Sequence, residues 1–380
     1  MNMCELRCRA VLPGVAVGVA VIAIGVRLAL DSARLTALFA IGLLLGVTLY
    51  HGSFSFAGAC RRLIVHGEYR AIRAQLIMLA VASVAFAPLL AAGEFGGRAL
   101  TGAFAPVGVS MVLGALLFGL GMQLAGGCGS GTLYTVGGGS PRMLFVLAAF
   151  CGGGFWASLH LSAWQSLPEW APVVLGQRYG WGWAAALQAA LLGAVAWAMR
   201  RGADPPSAAR FNVWCGPWPL LLAALVLAAC NVATLMLAGH PWSITWGFTL
   251  WGAKVSQALG WNPDTSAFWS QPFQRGALDG AVLADVTSLM DIGILLGAAM
   301  AAMLAGRFSP DWRIPPRSLC AALLGGLAMG YGARLSYGCN IGAFFSGVAS
   351  TSLHGWLWIV AAMAGSWIGV RLRPRFGLVN

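Results

Sequence analysis

Charge is what this chain of 380 residues has least of, with 9% of its residues charged against 59% hydrophobic. Ordinary soluble domains carry about 25% charged residues, so a water-facing surface of normal extent is excluded. Acids are scarcest, with 11 Asp and Glu against 23 basic residues. The net charge of +12 would fit a nucleic-acid binder if it were massed. The basic residues instead stand singly or in small groups between apolar runs, which argues against nucleic acid as a partner. Lysine is nearly absent: Lys254 is the only one. The nine cysteines include no CxxC pair and no His/Cys group with zinc spacing, so neither a disulfide framework nor a metal site is expected. A GxxxxGK[ST] motif is also missing, so no ATPase is built in, and no cofactor is expected.

Long apolar stretches are what the chain has in plenty. A bilayer core takes about 20 apolar residues per spanning helix. Ten candidates lie near 11–30, 34–50, 72–92, 104–125, 141–162, 181–199, 216–238, 283–306, 318–336 and 353–370. The first follows a basic head, as in a signal peptide, but lacks a small-residue cleavage site and reads as a membrane helix. The fold class is therefore an all-α polytopic membrane protein, with a lipid bilayer as its surroundings. With the N-terminus in the cytoplasm, sixteen arginines fall inside, in the groups Arg7–Arg9, Arg61–Arg73, Arg142, Arg200–Arg210, Arg307–Arg317 and Arg371–Arg375. Six basic residues fall outside, Lys254 among them. The positive-inside rule favours this orientation, with both termini cytoplasmic in a multi-pass protein.

An internal repeat organises the chain. Residues 119–158 align without gaps on 330–369, at an offset of 211. Identities include Gly127/Gly338, Cys128/Cys339, Gly131/Gly342 and Trp156/Trp367. In the assigned topology the helix before Cys128 runs inward and the one before Cys339 outward, so the repeats are inverted, as in many secondary transporters. Each repeat breaks at glycines into a short, more polar segment, which reads as a re-entrant helix. Non-helical backbone persists at membrane depth only where it is buried in protein or lines an aqueous path. Segments 52–63 and 242–255 are too short to span and sit upstream of each repeat, a weaker candidate pair of the same kind. The expected organisation is an extra N-terminal helix over 1–33, a first repeat over 34–200, a cytoplasmic linker over 201–215 and a second repeat over 216–380.

Cys128 and Cys339 are the candidate path residues, because each stands where a long helix breaks and a short one begins. A helix N-terminus favours an anion, and a soft thiol suits a sulphur-bearing one. Gly127, Gly131, Gly338 and Gly342 would support the two re-entrant loops. Lys254, near the outer face, is an anion attractor or a snorkelling interfacial lysine. Asp285 and Asp291 open a helix on the outer side, where they cap it or couple transport to protons.

The segments FGLGMQLAGGCGSGTLY and GYGARLSYGCNIGAFFSG, with YHGSFSFAGACRRL and the downstream WGAK, closely resemble the YeeE/YedE family of bacterial sulphur transporters over about residues 34–371. The resemblance implies a compact inner-membrane protein of inverted halves whose short helices meet at a narrow waist, with thiosulfate the best-established substrate. It also implies that the anion passes between cysteines there without a covalent intermediate; Cys128 and Cys339 match two of them. Where the family commonly has a third, in a Phe-Cys-Phe-like triplet, this chain has Phe54-Ser55-Phe56, which makes Ser55 the third candidate; Cys60 does not match that position. Some members act on selenium compounds, and some work beside a small cytosolic sulphur-carrier protein. A membrane thiol oxidoreductase using the same cysteines, or a subunit that only docks such a carrier, are the competing readings.

Overall fold

A computed structural model describes residues 3–202 and 211–380. Ala208 and most of the expected linker 201–215 thus lie outside the described residues. Ten of the helices there are long and apolar enough to cross a membrane, and the strands are two-residue pairs. Lipid offers no partner for backbone N–H and C=O groups, so a chain this apolar closes them within helices.

The elements follow in chain order: α1 (Met3–Asp31), α2 (Ala33–His51), α3 (Phe56–His66), α4 (Arg70–Ala92), α5 (Val109–Ala125), α6 (Gly129–Gly137), α7 (Pro141–Leu159), α8 (Trp181–Ala198) and α9 (Leu220–Ala238). Then come α10 (Thr245–Ala258), α11 (Pro272–Asp279), α12 (Val286–Leu304), α13 (Pro316–Leu335), a π-helical turn Asn340–Phe345 running on into Ser346–Ala349, and α14 (Leu353–Leu372). All ten expected spans are present. The segments left as a weaker pair form helices too, α3 and α10. At 1.5 Å per residue the 11 residues of α3 reach about 16 Å, half of a bilayer core. The fourth expected span begins late. Residues before Val109 are extended, and Val107–Gly108 pair with Glu169–Trp170. The order long, short, long, long, short, long occurs over α2–α7 and again from α9 to α14, with the surface helix α11 interposed.

Glycine sets the helix spacing. On α2, Gly42 and Gly46 lie against Gly293 and Ile294 of α12, where a Cβ on Gly42 would stand 2.7 Å from the Met290 carbonyl oxygen. Both helices thus carry the small-xxx-small spacing that lets backbones touch in lipid, at 42/46 and 293/297. A second seam joins α5 to α13. A Cβ on Gly114 would lie 2.7 Å from the Gly332 oxygen, and one on Gly121 2.7 Å from the Gly325 oxygen. The two contacts interchange when 211 is added to or subtracted from the numbers, which is the offset of the sequence repeat.

Among the described residues, Arg61, Arg142 and Arg373 come from separate parts of the chain and collect at one end of the bundle. Arg142 donates to the Leu124 and Ala125 carbonyls at the end of α5, and Arg373 to Gln123 beside them, 2.6 Å away. The asymmetry yields a direct expectation. In a background lacking the exposed Cys215 and Cys320, a cysteine at Pro310 should react with a membrane-impermeant maleimide only from the cytoplasm, and one at Asn262 only from outside. Labelling of both from one side would reverse or remove the topology.

Candidate functional site

Both candidate thiols are helix N-caps. Cys128 precedes α6 and Cys339 precedes the π-turn, with extended backbones of φ −89°, ψ −167° and φ −123°, ψ −166°. Matching local sequence has folded to matching local geometry. The Cys339 Sγ accepts a hydrogen bond from the Ile341 N–H at 3.4 Å, and Cys128 Sγ lies 3.4 Å from the Ser130 hydroxyl. Each thiol therefore sits at the first turn of a helix, the end where an anion is favoured. Both are 0% exposed.

The glycines act in two ways. Gly338 has φ +150°, and a Cβ there would stand 2.7 Å from the Ala343 nitrogen, so the turn before Cys339 has no room for a side chain. In the first repeat the left-handed residue is Gly126, φ +85°, one place ahead of Gly127. Gly131 and Gly342 lie one turn past each cysteine and pack at ordinary contact distance: a Cβ on Gly131 would be 3.6 Å from Cys128 Sγ, and one on Gly342 3.4 Å from the Ser243 hydroxyl. Non-glycine residues with positive φ are Tyr337, two places before Cys339, Ser53 in the turn between α2 and α3, and Thr351 just before α14. Such backbone costs on the order of 1 kcal/mol or more per residue and persists when the surroundings over-determine it.

The two breaks meet. A Cβ on Gly129 would lie 3.5 Å from both Cys339 Sγ and the Ile244 side chain, which puts the Cys128 turn, the Cys339 turn and the entry to α10 around one point. Toward the arginine-rich end, Tyr134 of α6 interacts with Cys128, Ser55 and Arg62. Ser55 is the N-cap of α3, its Oγ accepting from the Gly58 N–H at 3.0 Å. Phe54 and Phe56 pack edge-on, ring centroids 5.8 Å apart, and Phe56 reaches Phe344 in the other repeat at 6.4 Å. A cavity of about 420 Å³ opens just beyond, lined by His51, Ser53, Arg62, Arg70 and Trp218. At the opposite end a cavity of about 470 Å³ is lined by His240, Trp246, Phe273, Asp285 and Thr287. Neither cavity reaches Cys128 or Cys339, which do not line them.

The remaining candidates separate. Asp285 caps α12, accepting from the Ser288 N–H at 2.8 Å and from Trp246 Nε1 at 3.0 Å. Asp291, one to two turns deeper, is 0% exposed with neither carboxyl oxygen partnered among the described residues. It interacts with Cys339, and Gly247 leaves it room: a Cβ there would stand 2.6 Å from Asp291 Oδ2. The Lys254 ammonium lies at 2.6 and 2.7 Å from the Leu278 and Gly280 carbonyls and closes the end of α11. No group of three or more metal-ligating side chains occurs among the described residues.

Several buried residues escaped sequence reasoning. Cys60, set aside for its position, is buried on α3 and interacts with Cys128. Arg334, at the end of α13, lies over the Phe268 ring at 4.6 Å. Trp242 and Asn340 are fully buried with unpartnered side-chain polar atoms. Only Asn340 carried a signal, as the polar residue directly after the Gly-Cys pair.

Ten helices long and apolar enough to cross a membrane, packed around two buried cysteines, define a multi-pass membrane protein. Residues 51–368 match the sulphur transport family, and the chain belongs to it. It is 29% identical to the thiosulfate transporter TsuA of Spirochaeta thermophila over 350 residues, covering 86% of this chain and 95% of that protein. Its identity to TsuA of Escherichia coli K12 is 26% over 370 residues, 88% of this chain and 94% of that protein. The probable transporter YedE of Escherichia coli K12 is 33% identical over 158 residues, and this chain spans only 37% of its length.

Proposed function

We propose that this protein takes up a small sulphur oxyanion, thiosulfate foremost, across the bacterial cytoplasmic membrane by passing it between Cys339 and Cys128. The observation that carries this reading is the pair of buried thiols, each the N-cap of a short helix, with the two helix starts brought together where a Cβ on Gly129 would lie 3.5 Å from Cys339 Sγ. Two opposed helix N-termini supply about half a positive charge each, and the thiols supply weak, soft hydrogen-bond donors to a sulphur terminus. An anion held this way is bound loosely enough to leave, and no covalent step is needed.

The halves 34–200 and 216–380 act in this reading as inverted repeats, which the interchangeable Gly114/Gly332 and Gly121/Gly325 contacts support. Ser55 takes the inner end of the path beside Tyr134, offering a hydroxyl where the family commonly has a thiol. Lys254 draws the anion to the outer mouth, and Asp291 is the group through which proton coupling would act. Charge on a carboxylate buried without a partner is costly, so a cation or proton must accompany it. A small cytosolic sulphur carrier would receive the anion at the arginine-rich end. Selenium oxyanions are the substrate variant the same donors would accept.

Uptake of radiolabelled thiosulfate into proteoliposomes holding the purified chain tests the reading, with sulfate, sulfite and selenite as competitors. Accumulation above empty liposomes, competed by unlabelled thiosulfate and with the free thiol count unchanged afterwards, is the expected result. No accumulation in either orientation of the thiosulfate gradient would overturn it.

A further inference from the structure

Trp242, Trp269 and Trp358 are the fully buried tryptophans. Two of them donate their indole N–H, Trp269 to Ser158 at 2.8 Å and Trp358 to Ser336 at 2.9 Å. Trp242 Nε1 has no partner among the described residues. Its backbone, by contrast, is held on both sides. The Trp242 N–H donates to Asn231 Oδ1 at 2.8 Å, its carbonyl accepts from Ser346 Oγ at 2.8 Å, and Asn231 Nδ2 donates to that same hydroxyl at 3.2 Å. The fold thus spends three hydrogen bonds on fixing where this ring sits and none on its own donor.

Asn340 repeats the pattern one residue past Cys339. It is 0% exposed, and both Nδ2 and Oδ1 lack partners. The two residues belong to one wall. Ser243, next to Trp242, faces Gly342, and Ile244 meets Gly129 at the point where Cys339 Sγ does. Buried polar groups are paired almost without exception, so the unpartnered Trp242 Nε1 and Asn340 amide, carried by segments that pack together at the Cys339 turn, mark a place for a ligand that brings acceptors.

We infer that Trp242 Nε1 and the Asn340 amide form an oxyanion subsite of the waist, which binds the oxygens of a tetrahedral sulphur anion while its sulphur end meets Cys339. The inference rests on the transport reading and adds to it a direction of binding and a ligand class, since a sulphur anion without oxygens gains nothing from this wall. Neutral donors also desolvate a divalent anion without trapping it as an arginine would.

Trp242→Phe removes the N–H and keeps the ring, and Asn340→Leu replaces the amide with an apolar side chain of similar size. The purified protein is heated with and without thiosulfate, sulfite or hydrosulfide, and uptake is measured alongside. The expected result is that each variant loses the thiosulfate- and sulfite-dependent rise in Tm. Each should also raise the apparent KM for thiosulfate about tenfold or more, as loss of a hydrogen bond to a charged ligand does. Inhibition by hydrosulfide should not change, and Asn340→Leu without ligand should melt no lower than the parent, because an unpaired amide has been removed. If the parent responds to thiosulfate and both variants respond equally, the subsite is wrong while the transport reading stands. If the parent responds to no sulphur oxyanion, the transport reading itself fails. Equal Tm losses with and without ligand would make Trp242 and Asn340 structural groups only and overturn the inference.

Discussion

Cys128→Ala and Cys339→Ala should each reduce thiosulfate uptake about a hundredfold, the equivalent of the ~1.5–3 kcal/mol of one hydrogen bond to a charged ligand lost at an obligatory step. The amount of folded protein in the membrane should stay near that of the parent. Each side chain is small and buried, so removing the sulphur leaves a cavity of one atom, which costs about 1 kcal/mol. Serine at the same positions separates the possibilities further. It keeps the volume and offers a harder donor, so a path that depends on a soft sulphur contact stays impaired while one that needs any hydroxyl recovers. Uptake per molecule of correctly folded transporter is the measurement. Near-normal uptake in both alanine variants would place the path elsewhere.

An equally large effect, on folding rather than transport, is expected at the seam between α5 and α13. Gly114→Val and Gly332→Val each put a branched side chain where the partner's backbone oxygen lies 2.7 or 2.5 Å from the new Cβ. Neither carbonyl can move without opening its own helix, so the helices must separate along their length. Overpacking of this kind costs about 3 kcal/mol or more. The same helices end at Gly126 and Ser336, just before the two thiol-bearing turns, so whatever protein assembles should also lose transport. Gly152→Val and Gly193→Val are the controls, since nothing lies within 4 Å of a Cβ at either position. Solubilised yield, monodispersity and Tm report the outcome. Equal behaviour of seam and control variants would deny the seam its structural role.

The legibility of this molecule follows the range of the interactions involved. Spanning helices are local: about 20 apolar residues announce each one, so all ten were evident from composition along the chain. The N-cap positions of Cys128 and Cys339 were legible for the same reason, since glycines after an apolar run mark a break within a few residues. What was hidden depends on residues far apart in sequence. Cys60 joins the buried cluster that holds Cys128 only through folding, since 68 residues separate them in sequence. Lys254 faces carbonyls 24 and 26 positions away, which no pattern around it reveals. Trp242 was one of 17 tryptophans, most of them natural candidates for interfacial belts, and its empty N–H is visible only once every other donor has been paired.

The complete burial of Cys128 and Cys339 has a consequence for the energetics of the cell that holds this protein. A continuous file of water through a membrane conducts protons and ions and would run down the gradient that powers nutrient uptake and ATP synthesis. On the proposed path both thiols have 0% exposure, so a path through them in this conformation would hold no continuous file of water and the bilayer would stay an electrical insulator. On the proposed reading, passage of each anion is an exchange, in which the cargo itself displaces the stopper and restores it on leaving. The throughput of such a carrier is set by how fast a few side chains can yield, and a cell that needs more sulphur must make more copies rather than widen the hole.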